Sequence, residues 1–438
     1  MPVAPHVDPA DIPPIRSVPG SCDPAEVLHH IRAGTQIVVP LAVGEPKTLL
    51  DEVERVGDQL EGVRVHQMHA IHDRPYLHGA YGDRLRHVAY FLSHITRKSF
   101  AEGNCDLVPA NFSEVPDLLR SLKDPLVLTA ASMPDRHGYI SLGTNADYTA
   151  SLIGRARFFA ECNAQMPRSA GRAQLHVSQL VGWCEADYPL LEVPPAAPTG
   201  ADFEIARHIT RRIPDGATLQ TGIGAIPNAV MSGLLDHREL GIHTELISDG
   251  LIDLVERGVV TGSRKRINRT KIVGTFALGT QRLYDFLHEN PAVEMWPVRY
   301  VNNPRVIGQE ENFVSINATL EVDLLGQCAS ESIGSRMYSG SGGQADFARG
   351  AMYSEGGQGF VVLHSTAAGG SISRIRSQLS PGAAVTTIKN TVDKIVTEYG
   401  VAELRGTTVR QRCERLIAIA HPDHREQLEI EAKQLGFL

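Results

Sequence analysis

Short apolar runs alternate with amphipathic stretches along the chain, and glycine or proline stands at most of the joins. In the first half, Ile31–Val53 (IRAGTQIVVPLAVGEPKTLLDEV) reads as a helix end, a glycine, an apolar strand, a loop with proline and an amphipathic helix. In the second half Ala217–Gly222 predicts a strand, and Pro227 falls where a helix could begin, at the first helical position that proline prefers. His243–Ile247 is strand-like, Leu251–Arg257 helix-like, Lys271–Leu278 a strand and Gln281–Glu289 a helix. Glu294–Val301 and Phe360–Ser365 predict further strands, and the charged tail from Val409 predicts helix. Such alternation predicts α/β architecture, with functional groups at the C-terminal ends of the strands.

The strongest boundary is Leu191–Gly200, LEVPPAAPTG, because its prolines and glycine cannot continue a helix or a central strand. It predicts two domains, 1–198 and 199–438. The halves look related. Ile213–His237 (IPDGATLQTGIGAIPNAVMSGLLDH) repeats the order of Ile31–Val53, with Gly34 and Gly216 lying 182 residues apart. An Asp-x-x-Gly turn flanked by apolar runs recurs at Asp135 and Asp323, 188 residues apart, each predicting a β-hairpin. Two ordered matches at nearly constant spacing point to a duplication; chance likeness of two βα units is the alternative.

Composition narrows the class. A chain of 438 residues with 42% apolar and 21% charged residues suits two or three folded domains and excludes disorder for its bulk. The net charge of −8 argues against a nucleic-acid partner. No run of about 18 apolar residues suggests a membrane span. The start, MPVAPHVDPADIPP, lacks the basic and apolar regions of a signal peptide. Six scattered cysteines without a CxxC suit reduced thiols, so a cytoplasmic location is expected.

Several segments could carry chemistry. Gly222-Ile223-Gly224-Ala225-Ile226-Pro227 follows a strand and opens a helix, but Pro227 replaces the third glycine of a dinucleotide fingerprint. A glycine loop at a helix start can bind a phosphate or an oxyanion, or be a tight turn only. Glu245, in HTELISDG, is predicted at the same sheet edge; strands are depleted in glutamate, yet a solvated or salt-bridged role is open. Ser339–Phe347, SGSGGQADF, predicts a loop whose backbone donors could cradle an anion, or a surface hairpin. His66, His69, His72 and His78 invite a metal reading, but VRVHQMHAI looks like a strand that points His66 and His72 one way and His69 the other, so no metal is expected. Glu398, in TEYG, is a rival carboxylate, and no GxSxG elbow supports a serine hydrolase.

In order along the chain, these and further segments resemble the acetyl-CoA hydrolase/transferase family, and within it the 4-hydroxybutyrate or butyryl-CoA:acetate CoA-transferases. The resemblance rests on Cys105–Pro116 (CDLVPANFSEVP), Asp135–Thr149 (DRHGYISLGTNADYT), Asn163–Arg168, Gly222–Val230, His243–Leu254, Val301–Gly308, Ser315–Gln327, Ser339–Ala351 and Val396–Gly406. It implies two similar open α/β domains of the CoA-transferase (NagB/RpiA-like) type with the active site between them. It implies Glu245 as the nucleophile and Glu398 as a matched residue of another role. It implies an oxyanion donor at Ile223 or Gly224, another at Gly342 or Gly343, and a polar active-site residue at Asn302. For CoA itself the expected set is Gly340, Gly342, Gly343 and Lys394; Lys394, Arg374 and Arg376 enter by charge and position as phosphate partners. The implied reaction moves CoA between short-chain acids (acetate, butyrate or 4-hydroxybutyrate) by ping-pong steps, or hydrolyses a short acyl-CoA with the same glutamate. No metal or redox cofactor is then required. Glu245 would have to be ionised, so a strongly raised pKa is not expected. A homodimer is the expectation for a large α/β enzyme. Rival classes are a sugar-phosphate isomerase-like or ligand-sensing α/β protein and, given Pro227, less readily a dinucleotide oxidoreductase.

Overall fold

The computed structural model describes residues 20–438; the segment MPVAPHVDPADIPP, read above as lacking the features of a signal peptide, lies outside the described residues. Residues of the first half build a seven-stranded sheet: β1 (Gln36–Val38), β2 (Val63–Gln67), β3 (Leu85–Ala89), β4 (Cys105–Leu107), β5 (Leu126–Ala131), β6 (Arg157–Asn163) and β7 (Gly182–Ala186). Every pairing is parallel, in the order β7-β6-β5-β1-β2-β3-β4. Its central strand β5, LVLTAA, is buried on both faces, because covered parallel sheets bury both. Helix α1 (Lys47–Arg55) follows β1 and buries Leu49, Leu50 and Val53.

After the extended, largely exposed segment 187–199 comes helix α2 (Gly200–Thr210), capped by Thr199 with Asp202 three residues on. Next in chain order stand β8 (Thr218–Gln220), helix α3 (Ala225–Ser232), β9 (Gly241–Ile242), β10 (Leu246–Ile247), β11 (Ile272–Gly274), β12 (Phe276–Ala277) and β13 (Val293–Met295). They are followed by helix α4 (Val298–Val301), β14 (Phe313–Ala318), helix α5 (Gln344–Tyr353), β15 (Gln358–Val362), β16 (Lys394–Thr397) and β17 (Gly400–Glu403). The second large sheet runs β9-β8-β14-β15-β16-β17, parallel except for its last pair. The tail forms two helices, Val409–Ala418 and Pro422–Gln434. No described helix is long and apolar enough to cross a membrane.

The repeat extends to topology. β1 pairs with β2 on one side and with the later β5 on the other; β8 pairs in the same way with β9 and β14. Gly34 and Gly216, before these strands, share a left-handed φ of 76° and 79°. Asp135 takes the N–H groups of His137 and Tyr139, and Asp323 takes those of Leu325 and Gln327, the same two-and-four spacing. The halves are also joined. Ala170–Gly171 pairs with β13, and the largest apolar core contains residues of both halves, from Val38 and Phe158 to Ile205 and Val314.

Four local expectations differ. Glu294–Val301 is not one strand: β13 stops at Met295, and Pro297 leads into α4. Pro227 is the third residue of α3, where its missing N–H is still unneeded, because the first four helical N–H groups have no partner within the helix. The run at His66 leaves the sheet after Gln67, so His69 and His72 lie beyond the strand. His243–Ile247 and Lys271–Leu278 both break, at Thr244–Glu245 and at Thr275, for a reason that bears on the site.

Candidate active site

The two breaks lie side by side. The carbonyl of Thr275 accepts the N–H groups of Ala146 and Asp147 from the first half, at 2.8 and 2.9 Å, so it is spent on the other half rather than on the ladder. The carbonyl of Glu245 takes the N–H groups of Thr275 and Phe276. Glu245 thus stands at a bend, with its main chain fixed and its side chain turned to the junction of the halves.

Its neighbours are placed with equal care. His243 donates Nε2–H to the carbonyl of Val301 at 2.7 Å, and burial pulls its pKa down to about 3, so the ring stays neutral. That bond ties the residue two before Glu245 to the residue before Asn302. Asn302, at the end of α4, donates Nδ2–H to Glu245 Oε2 at 2.6 Å. A β-carbon on Gly343 would overlap both Glu245 Oε2 and Asn302 Nδ2, so only glycine lets the backbone lie against the carboxylate.

The loop around Gly343 is not a surface hairpin. Ser339, Gly340, Gly342 and Gly343 are buried, and Gln344–Phe347 belongs to α5 instead of the loop. Gly340 packs on the backbone of Tyr90 and Phe91, and Gly342 offers its carbonyl to Phe112 N–H at 2.9 Å. Ser113 donates through N–H and Oγ to Asp346. The first half therefore clamps the loop that presses on Glu245.

Burial is the main force on the Glu245 carboxyl. It pushes the pKa up to about 7, against the Asn302 hydrogen bond and with help from the charge of Asp346. This corrects the expectation that the pKa is not strongly raised. Asp346 is likewise pushed up to about 7 by burial, with Ser113 and Asn302 pulling it back. Among the described residues no Lys, Arg or His pairs with Glu245, which sets aside the salt-bridged alternative.

Other expected residues fall elsewhere. Ile223 is exposed, and with Gly224 it lines a small cavity beneath Val193–Ala196. Their loop reaches the site through Thr221, whose N–H and carbonyl both bond Thr244 Oγ1. Lys394 lies on β16, where its ammonium pairs with Asp393 at 2.7 Å, and Arg376 pairs with Glu321. Arg374 is half-buried, with its main chain bonded to Ser365. None of these three is brought to Glu245 by a described contact. Glu398 is held by Ser365 through N–H and Oγ. The histidines disperse: His66 bonds Tyr90 and Gln36, His72 approaches Glu45, His78 bonds Ser99 and Asp73, and His69 packs on Phe91. Among the described residues no cluster of three His, Cys, Asp or Glu side chains could hold a metal ion. The sequence reading missed Ser113, His243 and Asp346. The signal for Asp346 was present, an acid in the first turn after a glycine loop.

Comparison with known proteins fixes the class. Residues 21–191 match the acetyl-CoA hydrolase/transferase N-terminal domain, and residues 279–432 match the corresponding C-terminal domain. The chain belongs to the acetyl-CoA hydrolase/transferase family. It is 46% identical to the succinyl-CoA:cyclohexane-1-carboxylate CoA transferase of Geobacter metallireducens, over 95% of each chain. It is 44% identical to the 4-hydroxybutyrate coenzyme A transferase of Clostridium kluyveri, over 93% of this chain and 96% of that one. The crystal structure of RipA from Yersinia pestis superposes with a TM-score of 0.91 at 36% identity, over 95% of this chain and 98% of RipA. With relatives of this kind along nearly its whole length, the protein is an enzyme of the CoA-transferase type. Glu245 lies in the stretch between the two matched domains.

Proposed function

We propose that the protein moves CoA between short-chain carboxylic acids through covalent intermediates on Glu245. The observation that carries this is a carboxylate without a cationic partner among the described residues, buried between Asn302 and the backbone of Gly343 where the halves meet. The transferase names of the relatives support the class; acetate, butyrate and 4-hydroxybutyrate are the acids proposed for this chain.

The chemistry follows from exchanging two carboxylates on one thioester. A Glu245 oxygen forms a C–O bond with the acyl carbonyl, the C–S bond breaks, and CoA leaves as thiolate. The thiolate attacks the glutamyl carbonyl of the resulting anhydride, forming a glutamyl-CoA thioester and freeing the first acid. The incoming carboxylate reverses both steps, which gives ping-pong kinetics. Each addition creates an oxyanion, for which the N–H groups of Ile223 or Gly224 and of Gly342 or Gly343 are the proposed donors. One such donor contributes about 3–4 kcal/mol. A poorly hydrated carboxylate gives up little solvation on attack, and a pKa near 7 leaves half of it ionised at neutral pH. The scheme uses no metal or redox cofactor.

The test is transfer from butyryl-CoA to labelled acetate, against a water-only control, for the native enzyme and Glu245→Ala. Acetate-dependent transfer, a CoA adduct on the peptide holding Glu245, and loss of both in the variant are expected. CoA release without acetate would show a hydrolase. Full activity in the variant would remove Glu245 from the mechanism.

A further inference from the structure

The four histidines singled out in the sequence do not share one fate. His66, His72 and His78 each face a polar or acidic partner, whereas the His69 ring has no hydrogen bond among the described residues. His69 stands just past the carboxyl end of β2; its carbonyl accepts Ala42 N–H at 3.0 Å, and its side chain is partly exposed. That end of a parallel sheet is where α/β folds hold ligands. The His69 ring lies 5.7 Å from the ring of Phe91, centre to centre. Phe91, also partly exposed, packs on the glycine loop: a β-carbon on Gly342 would lie 3.6 Å from its ring. The next residue, Gly343, is the one whose backbone lies against the Glu245 carboxylate. A seam between the halves therefore runs from Glu245 past Gly343 and Gly342 and over Phe91 to His69.

Burial pulls the His69 pKa down to about 4, helped by the charges of His94 and Arg97, so at neutral pH the ring is an uncharged donor and acceptor. Arg97 is engaged elsewhere. Its Nε–H donates to the carbonyl of Tyr338 at 2.6 Å, and its guanidinium lies 3.6 Å from the centre of the Tyr338 ring. An acid with a second carboxylate would thus meet a neutral ring and an occupied guanidinium. A plain alkyl chain would cover the imidazole and leave it unpaired, which costs free energy. An apolar wall followed by a neutral hydrogen-bonding group suits a methylene chain that ends in a hydroxyl.

We propose that His69 is a specificity-determining residue: it bonds the hydroxyl of a short ω-hydroxy acid, such as 4-hydroxybutyrate, whose carboxylate reacts at Glu245 and whose methylenes lie against Phe91. This rests on the reading of Glu245 given above and selects among the acids proposed there.

The test is a competition: acetyl-CoA as donor, with equal 4-hydroxybutyrate, butyrate and succinate in one tube. The ratio of acyl-CoA products cancels the folded fraction and any general loss of turnover, so a merely structural role would not move it. The native enzyme should favour 4-hydroxybutyrate over butyrate by about tenfold, the size of one good hydrogen bond, and over succinate by more. His69→Leu should bring the first ratio to about one. His69→Gln, which keeps a donor and an acceptor, should hold it within about threefold of the native value. A native preference for butyrate or succinate overturns the proposal, and decides the matter even if the leucine variant does not fold. So does a ratio unmoved in His69→Leu, with transfer intact, and that outcome leaves the proposed function standing. A native enzyme that transfers CoA to none of the acids refutes both.

Discussion

The βα units at Gly34 and Gly216 share sequence order, strand pairing and left-handed glycines, yet they end differently. The loop after β1 is sealed. Residues 39–46 are all buried, Leu41 N–H is taken by Asp147, and its carbonyl by Asn145. The loop after β8 is open: Ile223 is exposed, and a β-carbon on Gly222 would meet nothing within 4 Å. The acids follow the same division. Glu45, in the sealed loop, is buried beside Arg74 and His72; burial alone would raise its pKa, but these partners hold it below the usual value. Glu245 has an amide and a second acid for neighbours, and its pKa goes up. One copy of the unit spends its polar groups on the fold, and the other leaves its loop open.

Substitutions can sharpen that contrast. Glu245→Gln should lower CoA transfer by about 10⁴-fold or more with the fold intact, as losing a nucleophile does. Glu45→Gln should leave transfer per folded molecule unchanged and cost about 3 kcal/mol in denaturant unfolding, because Arg74 loses a buried partner. Next in size, Gly343→Ala should reduce transfer about 10²-fold by displacing Glu245. Gly44→Ala, which would crowd Asn145 and Pro40, should appear as a lowered Tm instead. In the pH profile, kcat/KM should rise through about pH 7, since only the ionised Glu245 attacks and protonation below that value removes it. The smallest effect is on stability. The raised pKa means that folding holds the Glu245 proton more tightly than the unfolded chain does, so its cost appears as pH rises and is complete above about 7. Glu245→Gln should therefore gain Tm over the native enzyme at pH 8 and not at pH 5. Equal Tm differences at both would break the contrast.

The alternation of strands and helices was legible because period and punctuation are local properties. The duplication was legible for the same reason, through Gly34, Gly216, Asp135 and Asp323. Glu245 stood out as an acid in an apolar strand, but its role came only through resemblance, since such an acid reads equally well as a surface residue. What stayed hidden depends on contacts between the halves. The break at Thr275 exists because Ala146 and Asp147 claim its carbonyl, and no periodicity in Lys271–Leu278 records that. Ser113 belongs to the first half, and its partner Asp346 is 233 residues away. Lys394, expected as a phosphate partner, pairs with Asp393, its neighbour in sequence, a contact that charge and position did not record.

The short strand Ala170–Gly171, laid on Val293–Met295, has a consequence for how the molecule comes apart. With that pairing and a common apolar core, the peptide between the halves is a tether and not a hinge. A single protease nick within Leu191–Gly200 would give two fragments that migrate apart in denaturing gels and travel together as one particle in native buffer. Covalent continuity and mechanical unity are separate properties of this chain, and the second survives loss of the first.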